Sequence, residues 1–252
     1  MIDYYPTIQH QNATNKFLEI FSKDSRIKTI LLIGSCARCK ASKDSCLDLC
    51  VIVKNKHIKS VIKKFERLKN RIKEFKDVQN VGRFSQIDLE VTEAKFKPKE
   101  RSWTSGPDSF ELEIGNIFRY SVVLFDKNSY FKNLSKNYLP YYSEKLRKNR
   151  LNEVKKFLYN NLEHVPLYTK RKLYFQAFDR LYKASQEFMQ AVFIKNKIYP
   201  IAYDKWVKEQ YINILKMPKL YNQIVDIISI KNFEGVEILK KARKLKKLAN
   251  SL

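Results

Sequence analysis

A Gly-Ser turn and two acidic residues form the most chemically informative pattern in the sequence. Gly34 and Ser35 follow an apolar, β-branched run at residues 27–33, and Asp48 begins a second apolar run. A Gly-Ser turn between a strand and a helix exposes backbone N–H groups and a hydroxyl, which together suit a phosphate group. Asp88 lies on a third predicted strand, on the face away from the apolar residues. Carboxylates beside such a turn are what Mg²⁺-assisted chemistry on a phosphoanhydride requires.

These residues lie in a part of the chain where short apolar runs alternate with helical patterns. Strands are predicted at residues 27–33, 47–53, 84–92 and 120–125, and amphipathic helices at residues 13–23 and 57–75. On the strand at 84–92, Asp88 and Glu90 share the face opposite the apolar side chains. Either carboxylate can therefore serve as the base that takes a proton from an acceptor hydroxyl.

Beyond residue 140 the apolar residues recur with the helical period of 3.6. Helices are predicted at residues 143–163, 170–195, 204–216, 219–230 and 233–250, separated by Pro166, Pro200 and Pro218. The sequence thus predicts an α+β fold in which a small mixed-sheet domain at residues 1–135 is followed by an all-helical bundle at residues 136–252.

The composition excludes several classes of protein. With 44% hydrophobic residues the chain can bury a sizeable core, which argues against wholesale disorder. No apolar run approaches the roughly 20 residues that a membrane-spanning helix needs. The first residues lack the basic and apolar segments of a secretory signal, so the four cysteines are expected to be reduced thiols of a cytoplasmic protein.

The formal net charge of +24 has two interpretations, and most of it, +17, lies in residues 127–252. A Lys-rich solvated surface is the simpler interpretation. The alternative is an electrostatic footprint for phosphate groups, as in proteins that bind nucleic acids or other polyanions. We expect a mixed outcome, in which a few lysines serve a site and many are incidental.

The segment around Ser35 and Asp48 resembles the signature of the DNA polymerase β-like nucleotidyltransferases. The matching residues are Gly34, Ser35, Ala37 and Arg38, followed by Ala41, Asp44, Ser45, Leu47, Asp48 and Leu49. In small bacterial and archaeal members of this family the pattern is GSxARG, followed by SDxDL. The helical half is similar to the substrate-side bundle of antibiotic-type nucleotidyltransferases, at Asn196, Tyr199, Lys205 and Trp206.

The resemblance implies an enzyme that transfers a nucleoside monophosphate from an NTP, with ATP as the expected donor, to a hydroxyl acceptor and releases pyrophosphate. The implied site residues are Gly34, Ser35 and Arg38 for the phosphates, Asp48 and Asp88 for Mg²⁺, and Asp48, Asp88 and Glu90 for catalysis. The acceptor is a small molecule or an RNA, and basic side chains of the helical half would bind it or the leaving pyrophosphate. No membrane partner is expected.

Two positions depart from the family pattern. Cys39 replaces the glycine that usually follows the arginine, and Cys46 replaces the first aspartate of the DxD pair. A thiol is a soft ligand with a pKa near ~8.5, poorly suited to Mg²⁺. Asp44 lies two residues before Cys46, in a predicted loop, and cannot simply replace it. The alternative hypothesis is therefore a catalytically degenerate protein of the same fold that binds a nucleotide or RNA.

The spacing of Cys36, Cys39, Cys46 and Cys50 also raises a zinc hypothesis. If residues 46–50 are extended, however, the Cα atoms of Cys46 and Cys50 lie about 13 Å apart, too far for one tetrahedral ion. We therefore favour small buried thiols. The three histidines lie far apart in the sequence, and surface or incidental roles are expected for them.

Overall fold

The computed structural model of the protein describes residues 4–252, which form two compact units. The first unit contains the described residues up to Phe96 together with Ile114–Pro140. The second contains Lys97–Glu113 together with Tyr141–Leu252. The sheet lies in the first unit and the second is helical, so the predicted α+β class is confirmed. The separate roles assigned to residues 1–135 and 136–252 stay a prediction.

Residues 4–140 contain both helices and strands. In chain order the elements are α1 Ile8–Phe21, β1 Ile27–Leu32, α2 Gly34–Ala37, β2 Leu47–Val53, α3 Ile58–Lys69, α4 Lys73–Gln79, β3 Ile87–Thr92, α5 Phe110–Ile114 with a π-helical turn Gly115–Arg119, β4 Val122–Asp126 and α6 Tyr130–Ser135. The helix predicted over 57–75 is interrupted, since α3 ends at Lys69 and α4 begins at Lys73.

The four strands form one mixed sheet in the order β3-β2-β1-β4. β1 is antiparallel to both of its neighbours, whereas β2 and β3 are parallel. β1 and β2 are buried along almost their whole length, as their β-branched runs predict. On the helical side, Phe17 and Phe21 of α1 pack against Phe65 of α3, and Phe17 also packs against Phe75 of α4. This aromatic core fixes the sheet that carries the acidic residues.

The second unit is built on a helical hairpin. Its elements after Pro140 are α7 Glu144–Lys170, α8 Tyr174–Lys195, α9 Val207–Glu209 with a π-helical continuation Gln210–Ile214, α10 Pro218–Ile228 and α11 Glu237–Ala249. The apolar stripe of α11, including Ile238, Ala242 and Leu245, packs into the core.

Pro166 lies inside α7 and does not end it, which corrects the prediction that the helix ends before this proline. Its buried neighbours Leu162 and Val165 contribute packing energy that offsets the lost hydrogen bond.

A buried polar cluster joins the segment at residues 97–113 to α7 and α8. Arg150 is almost fully buried and donates hydrogen bonds to both carboxylate oxygens of Asp108 at 2.7 Å and to Glu111 at 3.0 Å. Gln190 and Tyr142 also donate to Glu111, at 2.7 and 2.9 Å. Removing Arg150 would take from both buried carboxylates the cation that donates hydrogen bonds to them, and this loss is expected to destabilise the unit.

Across residues 4–252, none of the helices combines the length and apolar character needed to cross a membrane.

Candidate active site

Asp48 and Asp88 are adjacent on two parallel strands. The register of β2 and β3 pairs Asp48 with Asp88 and Leu49 with Leu89. Residues at one level of neighbouring strands project to the same face, with backbones about 4.8 Å apart. One carboxylate oxygen from each aspartate and Sγ of Cys46 all lie within 4.8 Å of one another. The structure therefore brings these three side chains together.

Gly34 lies directly against Asp48. Its φ is +68°, in the left-handed region that favours glycine, and a Cβ built on it would overlap Oδ2 of Asp48. Just before the turn, Ile33 N donates a hydrogen bond of 3.0 Å to Asp48 O of β2. The position therefore requires glycine both for its backbone angle and for the close approach of the turn to the carboxylate.

Ser35 lies in a single helical turn that begins at Gly34, and Arg38 directly follows this turn. This helix, α2, has four residues and ends at Ala37, so its macrodipole is small. Ser35 is half-buried, and its carbonyl accepts a hydrogen bond of 2.9 Å from Lys40 N. Cys39 ends the turn with a φ of +55°. Glycine adopts this backbone angle readily, which explains why the family pattern has glycine at this position.

Cys46 lies one residue before β2, half-buried beside the aspartates. Its thiol donates a long hydrogen bond of 3.4 Å to Phe84 O, and its own carbonyl accepts one of 3.7 Å from the Cys36 thiol. Burial, together with the charges of Asp88 and Asp48, raises the pKa of the Cys46 thiol. The site therefore contains two carboxylates and a thiol, where the family pattern has three carboxylates.

Lys69, the last residue of α3, brings a positive charge to Asp88. Its Nζ lies 3.8 Å from Asp88 Oδ1, and Gln86 Nε2 donates a hydrogen bond of 3.0 Å to Asp88 Oδ2. Both oxygens of Asp88 are thus oriented by neighbours on the protein. Glu90 is exposed and lies two residues further along β3, beside Cys50 in the register, so it is outside the cluster of Cys46, Asp48 and Asp88.

The Gly34-Ser35 turn beside paired carboxylates on a mixed sheet agrees with the comparison with known protein families. Residues 15–100 match the family described as Polymerase beta, Nucleotidyltransferase. The resemblance found in the sequence is therefore confirmed for the segment that carries Ser35, Asp48 and Asp88. The match supports nucleotidyl transfer as the general class of activity.

A solved structure also resembles this chain in fold. The crystal structure of a nucleotidyltransferase-like protein from Exiguobacterium sibiricum 255-15 matches with a TM-score of 0.52, covering 96% of this chain and 74% of that chain. The two sequences are 14% identical, so this likeness concerns the fold alone. No curated protein matches the chain.

Two residues of the first unit support the loop before β2. His10 is fully buried and bonds through Nε2 to Ser45 O at 3.0 Å, so the expected surface role is wrong for this histidine. It lies on the same helical stripe as Ala13 and Phe17, a spacing from which its burial could have been predicted. Asp44 Oδ1 accepts a hydrogen bond of 3.0 Å from Arg83 N, which makes Asp44 a structural residue of the loop.

The donor set of this domain fits a divalent cation in part. Asp48 and Asp88 supply the oxygen ligands that Mg²⁺ prefers. The thiol of Cys46 does not suit Mg²⁺, because sulfur is a soft donor. The four cysteines occupy different surroundings: Cys36 and Cys50 are buried, Cys39 is exposed, and only Cys46 belongs to this donor cluster.

Proposed function

We propose that the protein transfers a nucleoside monophosphate from an NTP, with ATP as the expected donor, to a hydroxyl acceptor and releases pyrophosphate. The observation that carries this proposal is the pairing of Asp48 with Asp88 against the Gly34 turn, within the segment that matches the nucleotidyltransferase family. Asp48 and Asp88 would hold the divalent cation, which is Mg²⁺ in the resemblance. When bound, such a cation neutralises the triphosphate and makes the attacking oxygen more acidic.

The chain's own residues would divide the remaining tasks. The hydroxyl of Ser35 and the N–H groups of the turn at Gly34 would donate hydrogen bonds to the β and γ phosphates, and the Arg38 guanidinium would offset their charge. Asp88 or Glu90 would take the proton of the acceptor hydroxyl. Because Asp88 is held by Lys69 and Gln86 whereas Glu90 is exposed beyond the cluster, we assign Asp88 to the cation and Glu90 to the proton.

The charge of the helical half supports an anionic acceptor. Lys240, Arg243 and Lys247 are exposed along α11. We propose an RNA or an anionic small molecule as the acceptor. Binding of mixed RNA would then fall steeply with salt, because each neutralised phosphate releases counterions, and it would compete with NTP. RNA binding that NTP leaves unchanged would mean that this basic surface has no part in the reaction.

Cys46 favours a second candidate function, a degenerate nucleotidyltransferase fold that binds a nucleotide or RNA without catalysis. The two candidates differ in their response to Cys46→Asp, which restores the family's third carboxylate. The assay measures Mg²⁺-dependent pyrophosphate release from ATP, with mixed RNA or small hydroxyl compounds as acceptors. A weakened enzyme gains turnover with Cys46→Asp, whereas a pure binding protein shows no release with either chain. Cys39→Ser is the matched control and leaves the result unchanged.

A further inference from the structure

The metal-ligand cluster of the candidate site contains one sulfur among its donors. Sγ of Cys46 and carboxylate oxygens of Asp48 and Asp88 lie within 4.8 Å of one another, close enough to bind one ion after small side-chain rotations. Mg²⁺ demands a nearly octahedral shell of oxygen ligands, whereas Zn²⁺ and Co²⁺ bind thiolate and carboxylate together, commonly with four ligands. The donor set thus disagrees with the ion that the family resemblance implies.

We propose that this site selects a thiophilic divalent cation of the Zn²⁺ class, held by Cys46, Asp48 and Asp88, in preference to Mg²⁺. The inference rests on the proposed function only for the location of the site. On binding, the Cys46 S–H bond breaks, its proton leaves to solvent and a sulfur–metal bond forms. The hydrogen bond from the thiol to Phe84 O is lost in the same step.

The charges of the three proposed ligands and Lys69 balance for this ion. A thiolate and two carboxylates carry three negative charges, and a divalent ion with Lys69 carries three positive charges. Lys69 is placed for this role, with Nζ at 3.8 Å from Asp88 Oδ1 and a largely covered side chain. With a neutral thiol and Mg²⁺, the same groups would instead carry a net charge of +1 at a half-buried position.

The surrounding residues resemble the outer shell of a metal site. Gln86 Nε2 donates a hydrogen bond to Asp88 Oδ2 and so fixes the orientation of one ligand. Gly34 leaves room for the Asp48 carboxylate, which any larger residue at position 34 would displace. The exposed Cys39 lies outside the donor cluster, which makes it the natural control for non-specific thiol binding.

The experiment titrates the full-length chain with Co²⁺, Zn²⁺ and Mg²⁺ in separate runs. Optical absorption follows thiolate-to-cobalt charge transfer, and calorimetry gives the affinities. Because Zn²⁺ binds more tightly than Mg²⁺ at most protein sites, the decisive quantity is the change in the Zn²⁺/Mg²⁺ affinity ratio between variants. We expect the charge-transfer band in the wild type and in Cys39→Ser, and its loss in Cys46→Ser and Cys46→Asp.

Zn²⁺ affinity should fall at least about 10-fold in Cys46→Ser. Loss of a residue that only orients a metal ligand already has an effect of this size, and Cys46 is proposed as a direct ligand. Asp48→Asn should also weaken Zn²⁺ binding, and Cys46→Asp should lower the Zn²⁺/Mg²⁺ ratio by raising Mg²⁺ affinity. A charge-transfer band that survives Cys46→Ser, or a ratio unchanged in Cys46→Asp, would overturn the proposal. ATP binding is measured separately. If Zn²⁺ binds at Cys46 but ATP does not bind, the proposed function alone is refuted. If ATP binds but no cobalt–thiolate band appears, only this inference is refuted.

Discussion

Asp48 and Asp88 lie side by side on adjacent parallel strands, at the same level of the sheet and on the same face. Their carboxylates approach one another beside the Cys46 thiol, and Lys69 Nζ lies 3.8 Å from Asp88 Oδ1. Like charges held this close are destabilising unless a ligand neutralises them. The pair is therefore better explained by ligand binding than by stability.

Replacement of either carboxylate tests that explanation. Asp48→Asn and Asp88→Asn should each abolish metal-dependent transfer, while the free energy of unfolding of the metal-free protein stays equal or rises, because repulsion is relieved. Urea unfolding and the pyrophosphate assay measure the two effects. Glu66→Gln, an exposed change on α3, is the control and should alter neither. A large loss of metal-free stability would identify the replaced aspartate as a structural residue.

Ser35 should contribute to triphosphate binding. Ser35→Ala is expected to weaken the binding of a non-hydrolysable NTP analogue by about 1–2 kcal/mol, the range for a lost hydrogen bond to a charged group. The fold should remain intact because the side chain is only half-buried. Calorimetric titration gives the affinity, and Ser42→Ala in the neighbouring exposed loop serves as the control. Equal affinities in Ser35→Ala and wild type would remove Ser35 from the site.

Cys39 should be a strained position. Its φ of +55° is unfavourable for a residue with a Cβ, and Cys39→Gly should raise the free energy of unfolding by about 1 kcal/mol. Cys39→Ala keeps the Cβ and should give no such gain. Thermal or urea denaturation of both variants checks this. Equal stability of the glycine and alanine variants would show that the backbone angle carries no strain.

The strands were the most predictable part of the fold. The apolar run at 47–53 coincides with β2, and the run at 27–33 exceeds β1 by one residue, because β-branched residues bounded by a turn have few alternatives. The helix predicted at 57–75 breaks before Lys73 although its apolar spacing continues, so periodicity alone could not reveal the break. The end of α7 beyond Pro166 depends on tertiary packing, which local sequence does not encode.

The candidate site was only partly predictable. The sequence and the family resemblance predict that Asp48 and Asp88 share one Mg²⁺ site, but their side-by-side register comes from a parallel pairing between strands 40 residues apart. The approach of Lys69 to Asp88 depends on how α3 packs against the sheet. Cys46 was evident as a departure from a family pattern, whereas its proximity to both aspartates required the structure.

Asp24 should make the stability of the first unit sensitive to acid. Hydrogen bonds from Arg26 at 2.6 and 2.8 Å hold the pKa of Asp24 well below its usual range, and Lys64 at 2.9 Å adds to this effect. A carboxyl whose folded pKa is depressed stabilises the protein above its unfolded pKa of about 3.9, and that stability is lost as the pH falls further.

Asp24→Asn should therefore lower the free energy of unfolding at pH 7 by about 2–3 kcal/mol, the order of a lost charged hydrogen bond. The difference from the wild type should shrink below pH 4, because the Asp24 carboxyl of the unfolded chain becomes protonated there while that of the folded chain stays ionised. Urea unfolding at pH 7, 5 and 3 measures it, with Asp77→Asn on α4 as the control. A difference that stays constant down to pH 3 would exclude ionisation of Asp24 as the cause.

The most direct measurement of the central claim is the binding of a non-hydrolysable NTP analogue with and without a divalent cation, supplied as Mg²⁺ and as Zn²⁺ in parallel. If Asp48 and Asp88 form a nucleotidyl-transfer centre, at least one of these cations should strengthen binding of the analogue to the wild type by about 10-fold or more, a gain of about 1.4 kcal/mol. That gain should vanish in Asp48→Asn and Asp88→Asn. Binding that is the same with and without cation, or a gain that persists in both variants, would contradict the assignment of this site.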